Sequence, residues 1–506
     1  MMVDVVPNLL GGLTGALDPM SLLMIILGLA IGMLAGVLPG ITMVNAIVLV
    51  LPFTYFMEIV PAILLMVGIY CGGCYAGTIT GILFNIPGDP MNVPQTWEGY
   101  ALNKKMGLGS LALGVAITTS AIGGIASGLL MTFASPPFSR FAVQFSSVEY
   151  FAVVFFGLAS VVALAGKSVI HAMISLLIGM LLASVGMDPH FGTNRLTFGS
   201  SMLESGIDFI IVMIGLFAIG EILDHIEQEE SVLGANQHVG KVKTDLPSLR
   251  YMLSLKAPIL RGLGIGTLTG IIPGAGAAIA AFIAYGVERQ VNSKEPFGSG
   301  SMAGLASPET AANASTGGAM MALLTLGIPS SAATAVMLGA FKLKGINPGP
   351  MLFMGDQTLV YTIFIGFLLT NLLMVFMGVG AAKIFAQLLR APQALLASFI
   401  VIFCSIGAFA LRNDVNDIWF AMIFGLVGYA MRRLTIPVAP LILGLIMGPL
   451  AEDYFRVSMA LHDNDLSVFF SRPFSAILVT LALVCLAYPF IKKLKNLRRS
   501  GVTPAC

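Results

Sequence analysis

The sequence indicates an all-α polytopic membrane protein with about 12 transmembrane helices, additional re-entrant or broken helices, and two inverted-topology repeats. The 506-residue chain is 57% hydrophobic and 10% charged, with a mean hydropathy of +0.93. Soluble domains carry about 25% charged residues, so this composition excludes them. Apolar segments also recur along the chain, and one glycine-rich motif with a Pro-Gly break occurs twice, as Gly32-Met-Leu-Ala-Gly36-Val-Leu-Pro39-Gly40 and Gly266-Thr-Leu-Thr-Gly270-Ile-Ile-Pro273-Gly274.

The apolar segments set the expected helix count. Several are too short or too broken to cross about 30 Å of hydrocarbon singly. We therefore expect about a dozen full crossings plus re-entrant pieces. The segments run at 20–38, 41–57, 59–86, 107–135, 149–165, 168–186, 206–227, 258–273, 275–288, 315–341, 357–389, 394–411, 415–431, 434–450 and 474–491.

Basic residues predict the orientation and the division of the chain. No Lys or Arg precedes Lys104, whereas the central polar loop and the C-terminal tail are rich in both. The positive-inside rule makes that loop and the C-terminus cytoplasmic and puts the N-terminus on the other side. The first half then crosses an odd number of times, as an inverted repeat requires. The predicted parts are a first transmembrane repeat at 1–223, a cytoplasmic linker at 224–256, and a second repeat with a basic tail at 257–506.

Several functions are disfavoured. The net charge of +1 excludes a nucleic-acid partner, which needs a concentrated basic patch. Cys71 and Cys74 have a CxxC spacing without a second ligand pair, so we interpret them as small packing residues and expect no cofactor. The metalloprotease motif HExxH is absent, and no nucleophile-elbow GxSxG stands on a suitable helix, which disfavours a membrane enzyme. A channel would share the broken helices, but two halves of about six helices favour alternating access.

The first pair of breaks predicts part of a substrate site. Proline removes a backbone donor and glycine permits unusual dihedral angles, so the helix must break at Pro39-Gly40. Such a break survives at membrane depth where protein or a water-filled cavity surrounds it. A new helix begins after it, and helix N-termini bind anions. Substrate-binding candidates here are Gly40, Thr42 and Asn45, with Gly274 and Gly276 in the second half.

The second pair of breaks is richer in polar groups. Asn85-Ile-Pro87-Gly88 and Gly327-Ile-Pro329-Ser330 end two long segments that carry hydroxyls and amides. Oxygen atoms suit a Na⁺ ion, while amide donors and helix N-termini suit a carboxylate. The substrate-binding candidates are Asn85, Pro87, Gly88, Thr325, Gly327, Pro329, Ser330 and Ser331. The cation-binding candidates are Thr78, Thr80, Asn85, Glu309, Asn313, Ser315 and Thr316, with Na⁺ as the metal they would hold.

Charged residues near these segments could either take part in the site or lie in loops and at the membrane interface. Glu309 is either an intramembrane functional carboxylate or a solvated carboxylate just outside the membrane, because Pro308 and a Ser/Gly-rich stretch precede it. We expect Asp89 and Glu98 to be loop residues. Lys342 and Lys344 flank an apolar segment, so we expect their ammonium groups to reach the interface.

At these residues the chain resembles the large membrane subunit of the tripartite tricarboxylate transporters, the TctA family. The resemblance covers essentially the whole chain. It departs from the usual family pattern at Ala76-Gly77-Thr78, Glu98-Gly99 and Ala312-Asn313. The motifs that carry it are Gly36-Val-Leu-Pro39-Gly40, Asn85-Ile-Pro87-Gly88 with Thr96-Trp-Glu98-Gly99-Tyr100, Ala306-Ser-Pro308-Glu309-Thr-Ala311-Ala-Asn313, Leu324-Thr-Leu-Gly327-Ile-Pro329, and Gly345-Ile-Asn-Pro348-Gly349-Pro350-Met-Leu-Phe353.

The resemblance implies a cation-coupled importer in the bacterial inner membrane. Its partners would be a small four-helix membrane subunit and a periplasmic solute-binding protein, and its substrate a di- or tricarboxylate. The oxygen-rich hairpins favour Na⁺ as the coupling ion and leave H⁺ open. A stand-alone carboxylate symporter is the alternative, and the identity of the carboxylate stays open.

Overall fold

The chain folds almost entirely into α-helices, as predicted. A computed structural model describes residues 5–38, 41–164, 169–224, 243–292, 295–388 and 393–499. The first half contains α1 Val5–Leu17, α2 Pro19–Val37, α3 Met43–Thr54, α4 Ile59–Phe84, α5 Val93–Lys104, α6 Gly109–Ala142, α7 Ser147–Ala163, α8 Val169–Ala183, α9 Ser201–Glu204 and α10 Phe209–Met213, which continues as the π-helical turn Ile214–Ile219.

The second half contains twelve further helices in the described ranges. They are α11 Leu249–Ser254, α12 Lys256–Ile271, α13 Gly276–Val291, α14 Met302–Leu326, α15 Ala332–Leu343, α16 Leu352–Gly355, α17 Gln357–Leu388, α18 Gln393–Arg412, α19 Val415–Arg433, α20 Val438–Leu461, α21 Val468–Ser471 and α22 Pro473–Arg499. A 3₁₀ turn, Pro90–Asn92, precedes α5, and a small antiparallel hairpin pairs β1 Gly186–Met187 with β2 Asn194–Arg195.

The membrane-spanning character is also confirmed. Within the described ranges, five helices are long and apolar enough to cross a bilayer, and shorter apolar helices accompany them. The five are Pro19–Val37, Ile59–Phe84, Gly109–Ala142, Gln357–Gly380 and Val438–Leu461. The total of about 12 crossings stays a prediction.

Backbone contacts divide the chain into two units. The large unit comprises Met1–Ala142, Ile210–Ile271 and Gly276–Ala430, and the small unit comprises Val143–Phe209, Ile272–Ala275 and Met431–Cys506. The division predicted from sequence, with a linker at 224–256, stays a prediction. Most of that linker, residues 225–242, lies outside the described residues.

In the large unit, a glycine stripe packs α2 against α4. A methyl group on Gly28 would lie 2.2 Å from the Leu65 carbonyl oxygen, and one on Gly36 would lie 2.7 Å from that of Gly73. Side chains cannot occupy these positions, so the helix backbones approach closely. Because residue numbers increase together on both helices, α2 and α4 are parallel. The chain between them must therefore return through α3, whose 12 residues span about 18 Å.

The same contact pattern occurs between α12 and α14. A methyl group on Gly262 would lie 2.3 Å from the Ser307 carbonyl oxygen, and one on Gly270 would lie 2.3 Å from that of Ser315. These helices are parallel as well, so α13 returns the chain to the end where α12 begins.

The helices α4 and α14 run in opposite directions. Thr78 of α4 contacts Glu309 of α14, whereas Cys71, earlier on α4, lies beside Thr316, later on α14. Gly36 of α2 meets Gly73, the 15th residue of α4, which lies about 22 Å along that helix, and Gly270 of α12 meets Ser315 of α14. The hairpins α2–α3 and α12–α13 therefore end near the level at which α4 and α14 meet.

In the small unit, α7, α8, α20 and α22 pack together. Glycine again permits close approach, since a methyl group on Gly444 of α20 would lie 2.3 Å from the Leu176 carbonyl oxygen of α8. Two ion pairs connect the β-hairpin to α20. Arg195 pairs with Glu452 at 2.7 Å, and Asp188 pairs with Arg456 at 3.0 Å.

Candidate functional site

Glu309 lies within α14 and is fully buried. This burial contradicts the interpretation of Glu309 as a solvated carboxylate, which would be exposed, and its functional role stays a prediction. The alanine, glycine and serine residues that surround Glu309 in the sequence are small, so neighbouring helices pack closely around it. The segment 315–341, taken as one apolar stretch, comprises the end of α14 and most of α15.

Three neutral side chains contact the Glu309 carboxylate. The Thr78 hydroxyl of α4 donates to Oε2 at 2.7 Å, and the Ser120 hydroxyl of α6 lies 2.6 Å from Oε1. The Asn313 amide, one turn along α14, donates to Oε1 at 3.2 Å. Gln95 of α5 lies nearby, but its amide makes no hydrogen bond in the described structure. Glu309 is thus surrounded by oxygen and amide groups from α4, α6 and α14.

Asn92 contacts this cluster through Thr78. Its Nδ2 donates to the Thr78 hydroxyl at 2.9 Å and to the Cys74 carbonyl at 3.2 Å. A methyl group on Gly77 would lie 2.2 Å from Asn92 Oδ1, so this approach requires glycine. Asn92 thereby links the segment after α4 to the Glu309 cluster.

The environment of Glu309 differs from that of the other buried acids. Six acidic side chains in the described ranges are buried: Glu98, Glu149, Asp188, Glu288, Glu309 and Asp417. Four of them pair with arginine: Glu149 with Arg472, Asp188 with Arg456, Glu288 with Arg261, and Asp417 with Arg412. Glu98 accepts backbone amide hydrogens. In the described structure, Glu309 is paired with neither an arginine nor a backbone amide.

Glu98 has a structural role that the sequence interpretation missed. The expectation that it is a loop residue is wrong, because it lies in α5 and is fully buried. Its carboxylate accepts hydrogen bonds from the Gly300 and Ser301 amides at 3.0 Å and 2.8 Å, and from the Tyr285 hydroxyl at 2.8 Å. These bonds hold the N-terminus of α14, the helix that carries Glu309.

Both long helices end in a left-handed residue. Asn85 caps α4 with φ 64°, and Gly327 caps α14 with φ 71°. After Asn85 the chain folds back along α4, where the Gly88 amide donates to the Gly77 carbonyl at 3.3 Å. The Asn85 side chain is exposed and Pro87 is half-buried. A methyl group on Gly327 would lie 2.4 Å from the Pro348 carbonyl oxygen.

The segment after Gly327 leads to a helix N-terminus. Pro329 and Ser330 are buried, and the Ser330 hydroxyl has no hydrogen-bond partner among the described residues. Ser331 caps α15, and its hydroxyl accepts a hydrogen bond from the Thr334 amide at 3.2 Å.

Helix N-termini approach the middle of α4. Ser331 lies beside the Tyr70 hydroxyl, and a methyl group on Gly276, the first residue of α13, would lie 3.7 Å from the Ser331 Cβ. At the start of α3, Met43 lies against Gly73. Helix N-termini carry partial positive charge and unpaired amides. The region around residues 70–73 can therefore attract an anion.

Three more of the predicted residues lie in the described ranges. Thr42 caps α3, and its hydroxyl lies 2.9 Å from Asn45 Oδ1. Gly274, with φ 81°, lies in the small unit, where a methyl group would be 2.6 Å from Val161 Cα. Gly40 lies outside the described residues.

The remaining candidates direct their hydroxyls to their own helices. Their side chains are buried, and each donates to a main-chain carbonyl three or four residues earlier. These pairs are Thr80 with Gly77, Ser315 with Ala312, Thr316 with Asn313, and Thr325 with Met321. The Lys344 ammonium binds the Tyr55 carbonyl at 2.9 Å, so it does not reach the Glu309 cluster.

Sequence reasoning missed Ser120, Asn92 and Tyr70. Ser120 follows Thr118 and Thr119 in the apolar segment 107–135, which is a polar signal, but the sequence cannot tell which of the three faces α14. A cavity of about 560 Å³ in the small unit is lined mainly by apolar side chains of α7, α8 and α20. It contains none of the predicted site residues.

The chain is similar in sequence to known proteins. Residues 22–443 match the tripartite tricarboxylate transporter TctA family. The chain is 33% identical over 500 residues, 98% of both chains, to an uncharacterized 52.8 kDa protein in the TAR-I ttuC' 3' region of Agrobacterium vitis. It is also 36% identical over 235 residues, 46% of this chain and 97% of the relative, to an uncharacterized protein in the TAR-II ttuC' 3' region of the same organism. No solved structure matches the chain. Because the family match covers most of the chain and the full-length relative is 33% identical, this chain belongs to the tripartite tricarboxylate transporter TctA family.

Proposed function

We propose that the chain is the large permease subunit of a binding-protein-dependent importer that carries a di- or tricarboxylate together with a cation by alternating access. Its partners would be a small four-helix membrane subunit and a periplasmic solute-binding protein. The family supports a transport role in a membrane. The coupling ion, the substrate and the individual partners are our proposals.

Glu309 carries the proposal. A buried carboxylate is costly unless it is paired, and the other buried acids in the described structure have arginine or backbone partners. Ionisable residues in membrane spans that lack a structural partner mark ion and substrate pathways. A cation bound during transport would be the charged partner that Glu309 lacks in the described structure.

The proposed cation site comprises Glu309, Thr78, Asn313 and Ser120. Their carboxylate, hydroxyl and amide oxygens are ligands that suit Na⁺, which we propose as the coupling ion. Of the sequence candidates, Thr78, Glu309 and Asn313 meet in this cluster. The hydroxyls of Thr80, Ser315 and Thr316 bond to their own helices, and these residues would support the cluster through packing.

The proposed substrate site lies at the level of Tyr70 on α4. Ser331, Gly276 and Met43 bring three helix N-termini to this level, and discontinuous helices that point N-termini at an anion are typical of secondary transporters. Thr78 follows Cys71 by seven residues on α4, or about 10 Å. A carboxylate and a cation could then occupy neighbouring positions along one helix.

The paired hairpins support two inverted repeats. Each half has a glycine-packed parallel helix pair with a returning helix between, and the central helices α4 and α14 are antiparallel. Opposite orientation of corresponding elements is the arrangement that alternating access uses. We also propose that the C-terminus is cytoplasmic, because the tail is basic.

The test is uptake of a labelled carboxylate panel into proteoliposomes that contain all three subunits. Na⁺ and H⁺ gradients are imposed separately. Uptake of one or more di- or tricarboxylates that requires a cation gradient supports the proposal. Gradient-independent equilibration of the same anions would indicate a channel instead.

A further inference from the structure

Three buried polar residues form a stripe along α5 and the turn before it. Asn92, Gln95 and Glu98 are spaced three residues apart, and all three side chains are fully buried. Residues three apart lie on the same face of a helix. Asn92 Nδ2 donates to the Thr78 hydroxyl at 2.9 Å, and the Glu98 carboxylate accepts from the Ser301 amide at 2.8 Å. The stripe therefore connects α4 at one end to the N-terminus of α14 at the other.

Gln95 lies between these two contacts, beside the Glu309 carboxylate. Glu98 contacts the start of α14. Asn92, earlier in the chain, is linked through Thr78 to Glu309, which lies further along α14. The helices α5 and α14 therefore run in opposite directions, and the middle residue of the stripe reaches Glu309.

The Gln95 amide has no protein partner in the described structure. Neither Oε1 nor Nε2 makes a hydrogen bond, although the group offers one carbonyl oxygen and two N–H hydrogens. Burial of an amide without partners is unfavourable, and a methionine would fill a similar volume without that penalty. A buried amide of this kind calls for an explanation, and its position beside Glu309 supplies one.

We propose that Gln95 is a further ligand of the transported Na⁺, which its Oε1 contacts from α5. This inference rests on the proposed Na⁺ coupling and extends the cation site to a fourth helix. Amide carbonyl oxygens are hard ligands of the kind that bind hard cations in proteins. The Nε2 group can at the same time donate to the Glu309 carboxylate. The ion would then connect α5 to α4, α6 and α14.

Two other partners could satisfy the same amide. A bridging water would use its hydrogen-bonding groups without any dependence on Na⁺, and a substrate carboxylate would accept hydrogen bonds from Nε2. The placement of Gln95 favours the cation over the substrate. It lies at the level of Thr78 and Glu309, whereas the proposed substrate site lies at Tyr70, eight residues before Thr78 on α4 or about 12 Å away.

Thermal stabilisation by Na⁺ tests the inference without a transport measurement. The purified transporter is unfolded by heat in detergent at increasing NaCl, and choline chloride keeps the ionic strength constant. A ligand that binds the folded state raises the unfolding temperature according to its occupancy. The series therefore gives a Na⁺ midpoint, and binding of radioactive Na⁺ provides a second measure of it.

Two substitutions at Gln95 alter the proposed ligand. Gln95→Met removes the amide at similar volume, and we expect the Na⁺ midpoint to rise by about tenfold or more. Its unfolding temperature without Na⁺ should stay equal or rise, because an unpaired buried amide has been removed. Gln95→Asn keeps the amide but withdraws its oxygen by one methylene group, so the midpoint should rise here as well.

Ser135 provides a matched control. Its buried hydroxyl also has no hydrogen-bond partner in the described structure, but it lies about 22 Å along α6 from Ser120. Ser135→Ala therefore removes an unpaired buried polar group away from the cation site. It should keep the wild-type Na⁺ midpoint.

The outcomes separate this inference from the proposed function. A wild-type Na⁺ midpoint in both Gln95 variants overturns the inference and leaves Na⁺ coupling in place, which is the result expected for a bridging water. An unchanged Na⁺ midpoint with a raised KM for the carboxylate assigns Gln95 to the substrate instead. Loss of folded protein in both variants, even at high Na⁺, makes Gln95 a structural residue and also overturns the inference. If NaCl and choline chloride affect the wild type equally, the proposed Na⁺ coupling fails together with the inference.

Discussion

The Thr78 hydroxyl donates a 2.7 Å hydrogen bond to the Glu309 carboxylate, and this bond joins the central helices of the two halves of the chain. Residues 231 positions apart thus form one cluster. The bond therefore connects α4 directly to α14.

Substitution of the buried acids Glu98 and Glu309 by glutamine should have different effects on the stability of the protein. Glu98→Gln replaces an acceptor of backbone hydrogens with an amide that also donates, so we expect a loss of about 1–3 kcal/mol of stability. Glu309→Gln removes an unpaired carboxyl without breaking an ion pair, so the unfolding temperature should stay equal or rise. Thermal unfolding in detergent measures both. Equal destabilisation by the two changes would show that Glu309 is a structural acid.

The close packing of α12 against α14 can be tested with two glycines of α12 that differ in their surroundings. A methyl group on Gly266 would lie 2.2 Å from the Ala311 carbonyl oxygen, whereas one on Gly264 meets nothing within 4 Å. Gly266→Ala should therefore cost about 1–3 kcal/mol through overpacking. The control Gly264→Ala should be neutral or stabilising by up to about 1 kcal/mol. Similar unfolding temperatures for the two variants would contradict this helix packing.

Ser330 is expected to contact the substrate. Its buried hydroxyl has no hydrogen-bond partner among the described residues, so Ser330→Ala should change stability by less than about 0.5 kcal/mol. Loss of a substrate contact of about 1.4 kcal/mol would raise the KM for the carboxylate about tenfold. Initial uptake rates across substrate concentrations provide the measurement. An unchanged KM would place the substrate elsewhere.

The small unit should keep its β-hairpin contact at physiological pH. The His190 backbone amide and the Arg456 guanidinium hold the pKa of Asp188 at about 2. This pKa is below the ordinary aspartate pKa of about 3.9. The contact therefore stabilises the fold fully above about pH 3.9, and this stabilisation is lost as the pH falls through about 2. Arg456→Gln should increase hydrogen exchange in residues 186–195 at neutral pH. The difference from wild type should vanish near pH 2, and a difference that persists there would contradict this assignment.

The binding protein should be required at low substrate concentration. The arginines Arg261 and Arg412 are engaged by Glu288 and Asp417, and helix N-termini bind a free anion more weakly than a bidentate arginine does. Uptake by the two membrane subunits should therefore be negligible at micromolar carboxylate and restored by the binding protein. Robust micromolar uptake by this chain in isolation would favour a stand-alone symporter.

The sequence predicted the helical membrane fold because composition and hydropathy depend little on tertiary contacts. It also named Thr78, Glu309 and Asn313 as candidates, since polar residues in apolar segments are conspicuous, and the structure brings these three together. It could not find Ser120 among three consecutive hydroxyl residues, because which of them faces α14 depends on the rotation of α6. It misplaced Glu98, since the partners that make its burial possible, Gly300 and Ser301, lie about 200 residues away.

The most direct test of the account is cation-dependent carboxylate uptake by the complete transporter carrying Glu309→Gln, compared with wild type and with Glu98→Gln. We expect Glu309→Gln to fold normally and bind the partner subunits, but to lose the stimulation of uptake by an imposed cation gradient. Glu98→Gln should keep that stimulation, at a lower amount of folded protein. Wild-type gradient dependence in Glu309→Gln would contradict the assignment of Glu309 as the cation site.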